Sequence, residues 1–345
     1  MGKKNVIIIT GLGMQSVYNE CLKIKEAFIR KGYNCDLIFY QHTLPNKTPR
    51  DKYDLALWFT PLLPMYIPIQ KRWLHKGKCR LAVNYYVIEG IVHNMKPYLK
   101  WLEWQYIVTP SNFVKSCLEE MEIKVKEVIP HQLTNPMNID FKYGKSWRSK
   151  LPKGKKILLY NGSQIIRKAL LKLNEAIKIL SKRRNDFVMV YHTDNINAPH
   201  HTPISKLDAP NTMIETDFTK LSLEQVYAKM YFSDIIVHPA YCEGFGLPVL
   251  EALALEKPLV CIDAYGVNEI ANPRNSFMVT NIRPSTYEWR GYLTFKIMDY
   301  EPRDLADKIE EALDARNDII QDKIANAKET VKKFVNTYNR FTEFL

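Results

Sequence analysis

No stretch of this chain approaches the ~18 to 20 consecutive apolar residues that cross a bilayer. The run Val6 to Thr10 is stopped by the glycines at 11 and 13, so no membrane-spanning helix is expected. The opening Met-Gly-Lys-Lys leads into a five-residue apolar strand, too short for the apolar core of a signal peptide and with no small-residue cleavage site behind it. Val6 stands where a myristoylation signal needs Ser or Thr. Cysteine is sparse: the six lie at 21, 35, 79, 117, 242 and 261 with no C-x-x-C pair, which excludes a zinc finger or a disulfide scaffold and suits the reduced thiols of a cytoplasmic protein. No period of 20 to 50 residues recurs, which excludes solenoids and propellers. No arginine-rich segment or nucleic-acid motif is present, so no nucleic-acid partner is expected.

What is present is an ordinary globular composition: 345 residues, 46% apolar, 25% charged and 12% aromatic. That is too aromatic for a disordered chain and long enough for two or three domains. The 49 Lys and Arg outnumber the 37 Asp and Glu, giving +12. Such a field favours nucleotides, nucleic acid or acidic lipid, although a solvated lysine-rich surface has the same composition.

Short β-branched runs alternate with amphipathic helical stretches along the whole chain, the pattern of parallel sheets covered by helices. The fold class read from it is α/β. Strands are expected near Val6–Thr10, Cys35–Tyr40, Leu55–Phe59, Cys79–Asn84, Tyr106–Thr109 and Val125–Ile129, with helices at about 16–31, 63–76, 95–103 and 111–121. A polar, basic interval from Lys142 to Lys156 contains Gly144, Pro152 and Gly154 and reads as a linker. A second series follows, with strands near Lys156–Tyr160, Phe187–His192, Thr212–Glu215, Ile235–His238, Leu259–Ile262 and Ser276–Val279. Its helices fall at about 169–184, 222–232, 247–256, 302–316 and 318–343, and Ser222 with Gln225 makes a capping box. The expectation is two Rossmann-like doubly wound domains facing across a cleft: 1–148, 149–328, and a last helix, 329–345, crossing back to the first domain. Its apolar stripe is 334, 338, 341 and 344 or 345.

The sharpest local feature is Glu243-Gly244-Phe245-Gly246-Leu247-Pro248-Val249-Leu250-Glu251, directly after the apolar strand 234–238. Glycines permit close backbone approach and Pro248 suits the first turn of a helix, so the segment reads as strand, glycine loop, helix start. Free amides and the positive dipole end at such a start bind phosphate. Glu243 and Glu251 can then point into one crevice, one accepting hydrogen bonds from a ribose diol.

This segment resembles the E-x7-E motif of retaining glycosyltransferases with the GT-B fold, particularly family 4. Its neighbours agree: Ala-Tyr-Cys before Glu243, Ala-Leu-Ala after Glu251, Lys257-Pro258-Leu259-Val260, and Tyr265-Gly266-Val267-Asn268-Glu269-Ile270, similar to the family's G-x-x-E-I. The resemblance covers the second half, while the first is similar mainly in pattern. There, Thr109-Pro110-Ser111-Asn112-Phe113-Val114 and Val128-Ile129-Pro130-His131 resemble the family's S-x-F-V and I-P-H-G, with Gln132 in place of the glycine.

The resemblance implies a metal-independent, retaining transfer of a sugar from a UDP- or GDP-sugar to a glycan, lipid-linked or protein acceptor, with no cofactor. It implies that Arg167 and Lys168, in the segment Asn161-Gly162-Ser163-Gln164-Ile165-Ile166-Arg167-Lys168, hold the diphosphate. Cations fixed in advance stabilise a departing anion better than mobile ones, although a solvated basic patch is the plainer reading of the pair. Glu251 is expected on the ribose; Glu243, Phe245, Gly246, Leu247 and Gly162 are expected on the sugar and phosphate. Gly11, Gly13, Glu89 and His93 are candidate contacts to acceptor or sugar, a tight turn and a structural imidazole being the alternatives. No D-x-D occurs, so a metal clamped by paired aspartates has no evident home, and His192, Asp194, His200 and His201 lack ligand spacing. Tyr98, Trp101, Trp104 and Tyr106 with Lys96 and Lys100 suggest either core packing or peripheral contact with an anionic membrane at its inner face. A noncatalytic nucleotide-sugar binder and a nucleic-acid-modifying glycosyltransferase stay open as alternatives.

Overall fold

The computed structural model describes residues 3–11, 15–40, 48–61, 67–68, 70, 79–103, 105–134 and 137–345. The expected helix at 63–76, Gly13 and Trp104 lie wholly or mainly outside them. The chain divides into two compact units. Unit 1 is Met1–Thr134, Tyr287–Phe295 and Phe334–Leu345; unit 2 is Asn135–Thr286 and Lys296–Lys333.

Unit 1 contains β1 (Asn5–Gly11), α1 (Gln15–Arg30), β2 (Asn34–Tyr40), β3 (Tyr53–Pro61), β4 (Cys79–Val87), β5 (Gly90–Val92), α2 (Lys96–Leu102), β6 (Tyr106–Thr109), α3 (Asn112–Glu120) and β7 (Glu127–Val128). Its parallel sheet runs β2-β1-β3-β4-β6-β7, with Ile8 level with Leu37 and Leu57. A strand buried on both faces reads as a continuous β-branched run, as Val6 to Thr10 does. Ile7, Ile9, Ala56 and Trp58 pack on one face. Val6, Ile8, Leu55 and Leu57 pack on the other against Cys21, Ile24 and Phe28, which share one side of α1.

The helix expected over 318–343 ends earlier, at Lys332. Asn336 adopts a left-handed conformation (φ 60°) and a 3-10 segment, Thr337–Phe344, follows. Asparagine tolerates this conformation, which a helix cannot propagate. Tyr338 and Phe341 enter the core beside α1. A buried polar group fixes the segment: the Tyr338 hydroxyl donates to Glu20 Oε2, and Lys23 Nζ donates to Glu20 Oε1 at 2.6 Å and to the Gln132 carbonyl at 2.9 Å. His131 Nδ1 lies 2.8 Å from the Tyr338 hydroxyl. Burial pushes the His131 imidazole down to about 4.

Unit 2 contains α4 (Phe141–Ser149), β8 (Lys156–Asn161), α5 (Leu170–Ser181), β9 (Phe187–His192), β10 (Thr212–Glu215), α6 (Leu223–Phe232), β11 (Ile235–His238), α7 (Leu247–Ala254), β12 (Leu259–Ile262), β13 (Phe277–Val279), α8 (Pro302–Asp314) and α9 (Asn317–Lys332). Its sheet order, β10-β9-β8-β11-β12-β13, places the third strand of the unit at one edge and reverses direction between its first and fourth strands. Ligands of open parallel sheets bind at the carboxyl ends beside that reversal. Ser222 and Gln225 form the expected capping box at the start of α6.

Two further features depart from expectation. The interval 142–156, expected to be a linker, folds largely as α4: Asp140 caps it by accepting from the Tyr143 amide at 2.9 Å. Its inner face is only Gly144 and buried Trp147, too few apolar side chains to reveal a helical period. A hairpin not expected at all, β14 (Ile282–Trp289) and β15 (Leu293–Tyr300), adds a three-stranded sheet with β5. It turns through Arg290 (φ 53°) and Gly291 (φ 70°), the positive angles that suit the twist of hairpin strands.

Candidate active site

The strand pair at the reversal in unit 2, β8 and β11, delivers two loops. After β8 the chain passes Gly162 and enters a 3-10 turn, Ile166–Lys168, that ends at Ala169 with φ 55°, a strained conformation for an alanine. The Ile166 amide donates to the His200 carbonyl and the Arg167 carbonyl accepts from the Tyr241 amide, both at 2.9 Å. The two loops are thereby stitched together.

After β11 comes Glu243, whose amide donates to the Tyr265 carbonyl at 2.9 Å. Gly266 follows with φ 77°, and a Cβ there would lie 1.9 Å from the Glu243 carbonyl oxygen. Only glycine fits. The similar loop noted in the sequence thus presses on the backbone that aims Glu243.

The Glu243 carboxylate gathers three groups. Arg167 Nη1 donates to Oε2 at 2.8 Å and to the Cys242 carbonyl at 3.2 Å. Lys168 Nζ donates to Oε1, and His238 Nε2 lies 3.0 Å from the same oxygen. Side-chain exposures are 6% for Glu243, 11% for Lys168 and 16% for Arg167. Burial alone would raise the Glu243 carboxyl; Lys168 and Arg167, with His238, outweigh it and hold it well below the usual range. Burial pushes the His238 imidazole down, although Glu243 opposes this, so the histidine is neutral at pH 7. Two cations share this carboxylate in a largely desolvated position.

Helix α7 starts four residues beyond Glu243. Gly246 occupies its N-cap at φ 102°, a left-handed angle, no side chain caps the start, and Pro248 sits in the first turn. A helix start of this kind offers backbone amides and the positive dipole end to an anion. Phe245, in the loop before it, is buried. Glu251, on the same helix, is buried and accepts from the Tyr227 hydroxyl of α6 at 3.2 Å.

A second polar network lies at the ends of β8, β9 and β10. His192 Nδ1 is 2.7 Å from Asn161 Oδ1 and its Nε2 is 3.1 Å from Asp217 Oδ1. Lys229 Nζ reaches Glu215 at 2.8 Å and Asp217 at 2.9 Å, and Trp147 Nε1 donates to Glu215 at 2.9 Å. The bond to His192, against burial and with Lys229, lowers the Asp217 carboxyl. Asp194 accepts from the Gln164 amide at 3.1 Å. Among the described residues no three His, Cys, Asp or Glu side chains converge as a metal set.

The sequence-predicted residues therefore fall into two groups. Arg167, Lys168 and Glu243 are in mutual contact in unit 2, which also holds Gly162, Phe245, Gly246, Leu247 and Glu251. Gly11, the last residue of β1, Glu89, between β4 and β5, and His93 belong to unit 1. His93 touches the hairpin: its Nε2 is 2.8 Å from Thr294 Oγ1 and 3.6 Å from Glu288 Oε1. In the aromatic stretch after β5, α2 buries only Leu102, and Tyr106 packs on Phe344 at 5.6 Å. His238 and Tyr227 were not anticipated. The only signal for His238 was its place as a polar residue closing an apolar strand.

Two doubly wound parallel sheets in one chain, with a glycine loop and paired carboxylates after the fourth strand of the second, define the GT-B class of glycosyltransferase. A family model described as glycosyl transferases group 1 matches residues 144–331, more than half of the chain, and the chain belongs to that family. It is a glycosyltransferase. Among solved structures it is similar to a glycosyltransferase from Rickettsia africae ESF-5, at 18% identity, covering 99% of this chain and 97% of that one with a TM-score of 0.74. It is similar also to Anabaena Alr3699/HepE in complex with UDP and glucose, at 12% identity, 99% and 98% coverage and a TM-score of 0.70. A third is WaaG, a glycosyltransferase involved in lipopolysaccharide biosynthesis, at 12% identity, 96% coverage of each chain and a TM-score of 0.64. No curated protein matches by sequence.

Proposed function

We propose that this glycosyltransferase moves a sugar from a nucleoside diphosphate sugar to an acceptor hydroxyl, with retention at the anomeric carbon and with protein cations in place of a metal ion. The observation that carries the reading is the buried Arg167–Lys168–Glu243 cluster, two cations gathered on one carboxylate four residues ahead of a helix start that no side chain caps. Two cations held in place beside a helix start suit a diphosphate. HepE, whose fold the chain shares, has been solved with UDP-glucose, which supports a UDP-sugar, with a GDP-sugar as the alternative.

In this reading Arg167 and Lys168 bind the diphosphate, with Gly162 admitting it to the loop. The amides of Phe245, Gly246 and Leu247 meet the β-phosphate, and Glu243 reaches the sugar hydroxyls. Glu251, held by Tyr227, accepts from the ribose hydroxyls. The bond between the anomeric carbon and the β-phosphate oxygen breaks and its electron pair stays on phosphate. The acceptor oxygen adds from the same face, and its proton passes to the departing phosphate. Fixed cations stabilise the charge as it develops, a contribution of about 100-fold or more in rate for a preorganised group. Gly11, Glu89 and His93 are the candidate contacts to acceptor or sugar, the acceptor being a glycan, lipid-linked or protein hydroxyl on the cytoplasmic face.

The test is a panel of UDP- and GDP-sugars scored by thermal stabilisation, hydrolysis and product anomer by NMR, with and without EDTA. Arg167→Ala, Lys168→Ala and Glu251→Ala should each lower donor turnover about 100-fold. Near-normal turnover in all three defeats the proposal; stabilisation without product points to a noncatalytic binder, and loss of turnover in EDTA to a metal.

A further inference from the structure

We infer that the face of unit 2 carrying α4 docks on an anionic lipid bilayer. Three aromatic rings meet at the surface there. Phe141 is 48% exposed and Tyr231 40% exposed, their rings meeting edge to face at 5.3 Å, with Phe232 at 6.2 Å from the first and 5.3 Å from the second. The cluster is built rather than incidental: a Cβ at Gly144 would lie 2.3 Å from the Phe232 ring, so glycine leaves that ring its place. Lys257 Nζ sits 5.7 Å over the Tyr231 ring.

The charge carried by α4 and the turn that follows it has one sign. Residues 141–156 include seven Lys and Arg and no Asp or Glu. Arg148 and Lys156 answer to Asp234 and Lys155 reaches Asn211. Lys142, Lys145, Lys150 and Lys153 are exposed, and among the described residues none of the four makes an ion pair. Lys145 lies one turn from Phe141 on the same side of α4, and Lys142 adjoins it. Aromatic bodies that enter the headgroup boundary, with lysines reaching lipid phosphate, are the two elements of peripheral attachment. Rings packed edge to face on one another present apolar bulk rather than the spaced stacking platforms that bind nucleic-acid bases, which favours lipid.

Each lysine near an anionic surface contributes about a fivefold gain in partitioning, so the four together contribute several hundredfold. The full chain should therefore sediment with vesicles of 70% phosphatidylcholine and 30% phosphatidylglycerol at 50 mM salt, be released at 500 mM salt, and ignore pure phosphatidylcholine. Replacing Lys142, Lys145, Lys150 and Lys153 together by Glu should weaken binding at least 100-fold, and Phe141→Ser about tenfold. The four-fold Lys→Gln variant gives the same comparison if charge reversal disturbs folding. No binding to the anionic vesicles overturns the inference, as does wild-type binding by the charge variants. Tighter binding to a DNA duplex, abolished by the same substitutions, also overturns it and reassigns the face. No donor is present in the assay, so its failure leaves the nucleotide-sugar reading untouched.

Discussion

Glu243→Ala separates the roles of the charges at the site. In the free protein this carboxylate is the counter-ion of two cations no more than 16% exposed, and removing one partner of a buried ion pair costs about 3 to 5 kcal/mol. For a unit of this size that is a fall in melting temperature on the order of 10 °C. The abandoned cations should then bind an added anion more tightly than in the parent: inorganic pyrophosphate at 100 times its dissociation constant would restore about 2.7 kcal/mol. Glu243→Gln, which keeps an oxygen acceptor but no charge, should fall between. The assay is urea unfolding with and without pyrophosphate, beside turnover on the donor that the panel selects. The expected pattern is lower stability, stronger pyrophosphate binding and lost turnover together. Stability within about 1 kcal/mol of the parent, or equal pyrophosphate stabilisation of parent and variant, would refute the reasoning, because the anion would then be meeting something other than Arg167 and Lys168.

Three further outcomes follow from named contacts. Tyr227→Phe removes the hydroxyl that donates to Glu251, a bond to a carboxylate worth about 1.5 to 3 kcal/mol; the donor KM should rise about tenfold with kcat nearly unchanged, and an unchanged KM denies Glu251 a role in donor binding. Gly266→Ala forces a Cβ against the Glu243 carbonyl at a left-handed backbone angle and should cost about 2 to 5 kcal/mol with loss of turnover, whereas full activity would mean that the loop yields. His131 is ordinarily near 6.5 and lies at about 4 when folded, so between those values the unfolded chain holds the extra proton. Its contribution is complete above pH 6.5 and is lost as pH falls towards 4, by about 3 kcal/mol; urea midpoints from pH 4 to 8 should fall less steeply for His131→Asn, and parallel curves would exclude this residue.

The fold was legible where one periodicity ruled a segment. Val6 to Thr10 and Leu259 to Ile262 are buried on both faces, so their strands appear as unbroken apolar runs. It was illegible where the inner face is short or made of unusual groups. Helix α4 buries one glycine and one tryptophan, and its many lysines read as a linker although they are the solvent side of a helix. The β14–β15 hairpin turns at Arg290 and Gly291 rather than at Asn-Gly, and β14 exposes the consecutive run Arg283 to Thr286, so neither the turn nor an apolar alternation announced it. The early end of α9 depended on Asn336 taking a left-handed angle, a choice local propensity does not force.

The candidate site was legible in its residue types but not in its electrostatics. Glu243, Arg167 and Lys168 were expected to contact a ligand, each as a separate group. The structure makes them one another's partners: the carboxylate proposed to reach a sugar lies against both cations proposed to hold a diphosphate. In the proposed reading a diphosphate would replace this carboxylate beside the two cations, the exchange being favoured because a diphosphate carries more negative charge than a single carboxylate. The His238 imidazole lies on the same carboxylate, its Nε2 3.0 Å from Oε1. Pairing across 75 residues of sequence could not be read from spacing; it required the reversal of strand order that sets β8 beside β11.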